Sequence, residues 1–179
     1  MNNNSIFQIV NALLLGAAVL VSGLSHAQGC THESSKTAPD SRYVDNGDGT
    51  VRDLQVGLVW QKCSVGQSGD DCSKGAARAF KWDEAIQQDQ LVNDSGGFAG
   101  HSDWRVPKIK ELRSLVEVGC WSPSINITLF PNTPDAEYWT SSSYTGFTNN
   151  AWYISFNSGK SQYNHSKLEY FVRLVRTAE

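Results

Sequence analysis

The chain has 179 residues and a formal net charge of −3, with 18 acidic side chains against 15 basic ones. This length suits one domain and leaves little room for a second. The slight acidic excess argues against a nucleic-acid partner, because such binding requires a basic patch.

The first 27 residues have the pattern of a secretory signal peptide. A nearly unbroken apolar run covers residues 6–24, and no Asp, Glu, Lys or Arg precedes Glu33. Ser25 and Ala27 stand at the −3 and −1 positions of a small-residue cleavage site. A retained membrane anchor is the alternative, but the run is short for a spanning helix. We therefore expect an exported mature chain without a membrane span, located in the periplasm, on the outer surface or outside the cell.

Four cysteines follow the predicted cleavage site, namely Cys30, Cys63, Cys72 and Cys120. An even number in an exported protein predicts two disulfides, with three possible pairings. Cys63 and Cys72 bracket a short polar loop rich in Gly, so we expect them to pair, which leaves Cys30 for Cys120. Two alternatives are a lipidation site at Gly29-Cys30 and a metal site. The metal site is disfavoured because the spacing is not Cys-x-x-Cys.

The folded domain is predicted over residues 42–179, after a polar tether over residues 28–41 that is pinned only through Cys30. The domain begins with a hairpin signal, in which residues 42–44 and 50–53 favour β structure. Between them lies Asp-Asn-Gly-Asp-Gly, and Asn-Gly and Asp-Gly supply the positive φ angles of tight turns. A calcium loop is the alternative interpretation, but glycines occupy two of its ligand positions.

The pattern beyond the hairpin is one strand, two helices and then strands. Residues 56–63 predict a buried strand, and residues 79–92 and 104–116 predict helices. Strands rich in aromatic or β-branched residues are predicted at 138–144, 151–156 and 170–175. This order is typical of an α+β fold with two helices beside an antiparallel sheet.

Each predicted helix has an apolar stripe that should face the core. The expected inward residues are Trp82, Ala85, Ile86 and Leu91 in the first helix, and Ile109, Leu112, Leu115 and Val116 in the second. Pro107 suits the start of the second helix. Glu111 occupies the acidic position of a capping box, but Lys108 replaces the Ser or Thr that should accompany it, so half of the cap is missing.

The segment from residue 141 to residue 166 predicts a ligand-binding surface. It carries a single charged residue, Lys160, among many Asn, Ser, Gly and aromatic residues. Alternation within 151–156 places Trp152, Ile154 and Phe156 in the core and the intervening side chains outside. Tyrosine gives contact area at low entropic cost, and Ser and Asn give adaptable hydrogen bonds. The predicted ligand-binding residues are Tyr144, Thr145, Phe147, Asn149, Asn150, Tyr153, Ser155, Asn157, Gln162, Tyr163, Asn164 and His165. The alternative is a sheet whose tyrosines merely cover its edge.

Mainly structural roles are predicted for the remaining tryptophans and charged residues. Core positions are expected for Trp60, Trp104, Trp139 and Trp152, whereas Trp121 is the best candidate for exposure. A buried charge pair or network beneath the ligand face is predicted from Arg105, Glu111 and Arg173. An acidic polysaccharide could use the cluster of Lys108, Lys110 and Arg113, although a solvated helix face is the favoured interpretation of these residues.

Six segments together resemble a known bacterial family. They are DNGDGTVRD, GLVWQKC, GHSDWRVPKIKELRSLV, FPNTPDAEYWTSSSY, AWYISF and YFVRLVR. In their order and spacing, residues 42–176 resemble the domain named after the C-terminal part of the Legionella collagen-like adhesin. The resemblance implies a C-type-lectin-like fold, in which the terminal strands pair, two helices pack on the sheet and a long loop region forms the ligand face. It also implies an exported or surface protein, and some members bind sulfated polysaccharides.

The chain departs from this pattern in two places. Lys108 stands where the family usually has Thr or Asn, which matches the incomplete cap. The calcium-and-sugar motifs of animal C-type lectins are missing, so the resemblance does not imply calcium-dependent sugar binding.

The function predicted from the sequence is a non-catalytic module that binds a glycan, such as a sulfated polysaccharide, or a protein in an adhesion-like role. No cofactor or metal is expected, and no Ser-His-Asp set is apparent. The related formylglycine-generating enzymes rely on cysteines late in the domain, and none follows Cys120 here. The alternative is a structural subunit of a surface appendage or secretion complex.

Overall fold

The computed structural model describes residues 28–31 and 36–179. The predicted signal peptide, residues 1–27, lies outside the described residues. Within the described ranges, no helix has both the length and the apolar character needed to cross a bilayer.

The described chain forms short strands and helices joined by well-defined loops. The strands are β1 Gly29–Cys30, β2 Tyr43–Asp45, β3 Thr50–Asp53, β4 Leu58–Gln61, β5 Gln67–Ser68, β6 Lys74–Gly75, β7 Cys120–Trp121, β8 Glu137–Ser143, β9 Asn150–Ser155, β10 Lys160–His165 and β11 Val175–Thr177. The α-helices are α1 Trp82–Ala85, α2 Gln88–Asp94 and α3 Ile109–Arg113, and a 3-10 turn covers Asp40–Arg42.

Two antiparallel sheets organise the fold. The first has the strand order β11-β4-β3-β2, so the last strand pairs with a strand near the start of the domain, with Val175 opposite Trp60. The second has the order β10-β9-β8. Two further pairs, β1 with β7 and β5 with β6, are antiparallel hydrogen-bonded ribbons. The predicted α+β class is confirmed.

The predicted turn between the first two strands of the domain is confirmed. Gly47 and Gly49 have φ angles of +75° and +86°, which non-glycine residues adopt rarely. The Asp45 carboxylate accepts a hydrogen bond from the Gly47 N–H at 3.0 Å, and the Asp48 carboxylate accepts one from the Thr50 N–H at 3.0 Å. The two Asp side chains therefore close the turn.

The first predicted helix is broken into α1 and α2, and its predicted stripe is only partly correct. Ala85 is fully buried, but Leu91 is 61% exposed. The reason lies in Asn93, whose amide donates to the Trp104 carbonyl at 2.8 Å and accepts from the Trp104 N–H at 3.1 Å. These bonds turn the Asn93 face of α2 towards the protein, so Leu91 points outward.

The second predicted helix is confirmed in position but is shorter, as α3. Leu112 and Leu115 are fully buried, as expected. Glu111 accepts a hydrogen bond from the Lys108 N–H at 2.7 Å, which completes the acidic half of the cap. Another element satisfies a different N–H of the first turn, because the Ser142 hydroxyl of β8 accepts the Ile109 N–H at 3.1 Å. The helix start is thus capped by the neighbouring sheet.

Both predicted disulfides are present, Cys30–Cys120 and Cys63–Cys72. The sulfur of Cys30 is bonded to Cys120, which leaves no thiol for the lipidation alternative. The described chain has no free cysteine.

The segment predicted as a tether is held by more than its disulfide. The Gln28 amide donates to the Pro123 carbonyl at 2.6 Å. The buried Glu117 carboxylate accepts the N–H groups of Thr37 and Ala38, each at 2.8 Å. Ala38 is fully buried in the main core. The prediction that Cys30 alone pins this segment is wrong, because buried hydrogen bonds and an apolar contact hold it as well.

The predicted charge network separates into two units. Arg105 and Glu111 form a bidentate ion pair, with both N–O distances 2.7 Å. Arg173 is fully buried elsewhere, donating to the Gln61 carbonyl at 3.0 Å and to the Thr133 hydroxyl at 2.7 Å. The predicted pair therefore exists between Arg105 and Glu111, although both are half-buried. Arg173 is not part of it, since uncharged oxygens rather than Glu111 accept its hydrogen bonds.

Other strand and tryptophan predictions hold in part. The strand predicted over residues 170–175 begins only at Val175, preceded by single bridges at Tyr170 and Phe171. The strand β10 was missed, because its side chains are mostly polar. Core positions are confirmed for Trp60, Trp104 and Trp139, and exposure is confirmed for Trp121. Trp152 is half-buried rather than core.

Candidate ligand-binding surface

Four aromatic side chains gather at one end of the sheet β8-β9-β10. Tyr163 of β10 pairs directly across from Trp152 of the central strand β9. Tyr144 follows β8 immediately and donates its N–H to the Asn150 carbonyl at 2.8 Å. Phe147 lies in the loop between β8 and β9. We call these four residues the aromatic platform.

The rings of the platform are packed against one another. Tyr144 and Tyr163 stack face to face, with ring centroids 3.8 Å apart and planes at 4°. Trp152 meets both rings edge-on, at 5.3 Å from Tyr144 and 5.7 Å from Tyr163. The Phe147 ring lies 6.1 Å from Tyr144 and 6.3 Å from Tyr163. Such edge and offset contacts hold the rings in fixed orientations.

The platform is open to solvent on its outer side. Phe147 is 62% exposed and Tyr163 is 40% exposed, whereas Tyr144 and Trp152 are half-buried. The loop passes close over the Tyr144 ring at Gly146, where a Cβ atom would lie 2.5 Å from Tyr144 Cε1. A glycine is therefore required at this position to let the loop approach the stacked rings.

The hydroxyl of the stacked neighbour also affects the ionisation of Tyr144. The neighbouring Tyr163 hydroxyl raises the pKa of the Tyr144 phenol above its ordinary value of 10.0. The Tyr144 phenol therefore remains protonated at neutral pH and can donate a hydrogen bond to a ligand.

A cation, Arg113, borders the platform on the same side of the sheet. The Arg113 guanidinium donates to the Ser161 hydroxyl at 2.8 Å. Ser161 and Tyr163 are two residues apart on β10, so their side chains share one face. Arg113 is exposed, as are Lys108 and Lys110 of the same region. The helix α3 thus brings positive charge next to the exposed rings.

The prediction that Tyr153 and Ser155 are exposed is wrong. Tyr153 is 7% exposed, and Ser155 is also buried. The Tyr153 ring packs at 4.9 Å from Tyr170 and 6.1 Å from Trp139, which belong to a second core cluster. Alternation failed because both faces of the central strand are covered, one by α3 and the other by this cluster.

The other predicted ligand-binding residues are spread along the sheet. Thr145 and Asn149 are exposed in the platform loop, and Asn150 is half-buried at the start of β9. Gln162 is exposed but accepts the Tyr153 hydroxyl at 2.8 Å. Asn157 is also exposed, but it lies beyond the far end of β9 from the platform.

Two predicted residues near the end of β10 serve partly structural roles. The Asn164 amide donates to the Tyr170 hydroxyl at 3.0 Å, and Asn164 is half-buried. His165 is exposed, and its Nδ1 accepts the Lys167 N–H at 3.2 Å. The compact part of the predicted surface is therefore built from Tyr144, Phe147 and Tyr163.

Sequence reasoning missed Trp152 as a member of the platform. The available signal was its position opposite Tyr163, which becomes visible only once β10 is recognised as the partner of β9. Across residues 28–31 and 36–179, no three His, Cys, Asp or Glu side chains are grouped as a metal site would require.

A sequence model of the Lcl C-terminal domain matches residues 49–176. The chain belongs to this family. The matched region of the Lcl C-terminal domain contains the whole aromatic platform and α3. It begins in the turn before β3, so the Cys30–Cys120 disulfide joins the segment before the match to the domain itself. A search of curated proteins finds no match to the chain.

Two features of this Lcl C-terminal domain agree with an exported bacterial surface protein. The match to the Lcl C-terminal domain indicates a bacterial surface-protein domain. Both disulfides close without leaving a free cysteine in the described chain, as is usual in oxidising compartments.

Proposed function

We propose that the protein is an exported, non-catalytic module that binds a glycan through the aromatic platform. The observation that carries this proposal is the stacked and exposed ring pair Tyr144–Tyr163, extended by the more exposed Phe147. A protein core would bury such rings, and a solvated loop would not hold them in register. Rigid tyrosines provide contact area with little rotamer entropy to lose.

A sulfated polysaccharide is the class of glycan that the surroundings favour. Arg113 lies on the platform face through its bond to Ser161, and Lys108 and Lys110 are exposed on the adjoining segment. Arg and Lys side chains bind sulfate-like anions through charge-assisted hydrogen bonds. Because the chain as a whole is acidic, an anionic ligand would be attracted to this local group of cations and not to the protein in general.

The proposal includes the C-type-lectin-like fold and the absence of catalysis. The pairing of β11 with β4, together with α3 packed on the second sheet, supports this fold assignment. The platform offers rings, hydroxyls and amides, which supply contact area and hydrogen bonds. None of its four side chains is an activated nucleophile or a general base.

The experiment compares binding to heparin with binding to chemically desulfated heparin. The proposal predicts retention on heparin, weakening with added salt and strong reduction on the desulfated polymer. Arg113→Ala should reduce retention, whereas Lys74→Ala, which removes an exposed cation from another segment, should not. Equal retention on both polymers would contradict the assignment of a sulfated ligand. If neither polymer retains the protein and a glycan array gives no response, glycan binding itself would be contradicted.

An assembly subunit is the second candidate, favoured by exposed apolar side chains beside the N-terminal segment. Trp121 pairs with Gly29 in the β1–β7 ribbon, and the Val118 N–H donates to the Thr37 hydroxyl. Both Trp121 and Val118 are exposed. Sedimentation at low concentration distinguishes the candidates. A stable oligomer that Trp121→Ser dissociates, without glycan affinity, would favour the assembly role.

A further inference from the structure

A second cleft, separate from the aromatic platform, lies between three loops. It has a volume of about 480 Å³ and is bounded by the turn before β3, the loop closed by Cys63–Cys72 and the loop after α2. It shares no residue with the platform. Its volume falls within the range of small-molecule sites in proteins.

The floor and one wall of the cleft are rigid. Gln61 and Ser64 form a buried polar floor, and the Ser64 hydroxyl is hydrogen-bonded to that of Tyr138 at 2.5 Å. In the wall, the N–H of Val65 donates to the Val172 carbonyl at 2.9 Å, and the Val65 carbonyl accepts from Arg78 at 2.9 Å. The disulfide closes the same loop. Such a cleft is formed before any ligand arrives.

The opposite wall presents an aromatic ring. Phe98 is 36% exposed, and its ring lies 5.8 Å from Trp104 in an edge contact. The Trp104 indole N–H donates to the Phe98 carbonyl at 3.0 Å. A Cβ atom at Gly49 would lie 2.9 Å from Phe98 Cζ, so the ring packs directly on the backbone of the turn. Phe98 is thus a positioned apolar surface in an otherwise polar cleft.

The charged groups of the cleft disfavour an anionic ligand. Asp70 lines the cleft, and no hydrogen bond or ion pair joins its carboxylate to another residue in the described part of the chain. Asp48 also lines the cleft and uses one oxygen, Oδ1, to bind Thr50. No Lys, Arg or His is among the described lining residues, and nearby Lys62 is paired with Asp45 at 2.5 Å.

We propose that this cleft binds one uncharged sugar unit. A pyranose ring has an apolar face that suits Phe98 and a rim of hydroxyl donors that suits the Asp70 carboxylate and the Gln61 amide. Hydrogen bonds to a carboxylate are stronger than those between neutral groups. The charge of this cleft is opposite in sign to that of the platform border, because carboxylates line the cleft and a cation borders the platform. The site is independent of the proposed platform function.

Saturation-transfer NMR tests the proposal with the purified protein and a panel of methyl glycosides of glucose, galactose and N-acetylglucosamine. At least one glycoside should receive saturation, with a dissociation constant measurable by titration. Asp70→Asn should weaken the affinity for the glycoside by about fivefold or more, because hydrogen bonds to the charged carboxylate are lost. Phe98→Ala should weaken it further. Asp135→Asn, at an exposed carboxylate elsewhere, and Phe147→Ala, on the platform, should leave the affinity unchanged.

Asp70→Asn removes no contact within the described structure, so its fold is expected to survive, and circular dichroism verifies this for both cleft variants. The proposal is overturned if no glycoside binds, or if binding persists unchanged in folded Asp70→Asn and Phe98→Ala proteins. Binding of a simple amine, for which cadaverine is the probe, without any glycoside would assign the cleft to cations and overturn the sugar assignment. Loss of glycoside binding in Phe147→Ala alone would place the sugar at the platform.

Discussion

Tyr144 and Tyr163 stack with their ring centroids 3.8 Å apart, although one follows β8 and the other belongs to β10. The strand between them contributes Trp152, whose edge contacts both rings. Three strands therefore fix the exposed ring pair, and a ligand that docks on it need not order loose side chains. This arrangement reduces the entropic cost of binding.

The stacked pair predicts an observable titration. Because the Tyr163 hydroxyl raises the pKa of Tyr144, Tyr163→Phe should return that pKa towards its ordinary value. Ultraviolet absorbance of tyrosinate against pH, with Tyr144→Phe to assign the signal, measures the change. Tyr43→Phe serves as the control, since Tyr43 lies in the main core. An unchanged Tyr144 pKa in Tyr163→Phe would contradict the contact.

The buried Arg173 should be essential for stability. Arg173→Ala removes the donor for the carbonyls of Gln61 and Lys62 and for the Thr133 hydroxyl, and it leaves a cavity beside Phe130. The expected loss is about 3–5 kcal/mol of the free energy of unfolding. Urea denaturation measures it.

Arg52→Ala is the matched control for Arg173. Arg52 is exposed, and among residues 28–31 and 36–179 its guanidinium donates only to the Glu179 carbonyl, at 3.3 Å. Its removal should cost less than about 0.5 kcal/mol. Equal losses for the two variants would show that the buried donor set is not what stabilises the fold.

The ion pair of Arg105 and Glu111 predicts a pH-dependent stability. Burial acts to raise the pKa of Glu111, but hydrogen bonds from Arg105 and Lys108 outweigh it and lower the pKa below 4.5. A lowered folded pKa means that the stabilisation is complete above the unfolded pKa and is lost as pH falls through the folded value. Glu111→Gln should therefore cost about 1 kcal/mol at pH 7, and the difference should shrink below pH about 4.5.

Glu84→Gln separates the cap from the ion pair. Glu84 accepts the Lys81 N–H at 3.2 Å at the start of α1, and no ion pair engages it within the described residues. Thermal unfolding at several pH values should show a smaller loss of stability for Glu84→Gln than for Glu111→Gln. A pH-independent difference between wild type and Glu111→Gln would refute the assignment to the ion pair.

The two disulfides should differ in their contribution to stability. Cys30–Cys120 spans a sequence separation of 90, whereas Cys63–Cys72 spans 9. The chain-entropy estimate gives about 4.5 kcal/mol for the longer loop and about 2.5 kcal/mol for the shorter one. Paired Cys→Ser variants, compared by urea denaturation, measure both losses. A larger loss for the shorter loop would contradict this account.

The sequence predicted the local features of the fold well. The turn glycines, the stripe of α3 and both disulfides depend on nearest neighbours or on simple chemistry. Leu91 was misplaced because the orientation of α2 is set by hydrogen bonds between Asn93 and Trp104, which lies outside the helix. Helical periodicity contains no information about such a contact. Tertiary contacts overrode the local pattern there.

The candidate site was predicted in composition but not in detail. Tyr144, Phe147 and Tyr163 lie together as expected, yet Tyr153 is buried because both faces of β9 are covered. Trp152 joined the platform because β10, a strand of polar residues, places Tyr163 opposite it. Pairing register between strands was the missing information, and one sequence does not supply it.

The most direct test of the central claim is the affinity of Tyr163→Ala for heparin, measured by calorimetry beside the wild type. The platform account predicts a loss of about tenfold or more with the fold intact. Leu168→Ala, which truncates an apolar side chain of similar exposure (43%) outside the platform, should bind like wild type. Heparin affinity that is identical in all three proteins would contradict the claim that the stacked rings form the binding surface.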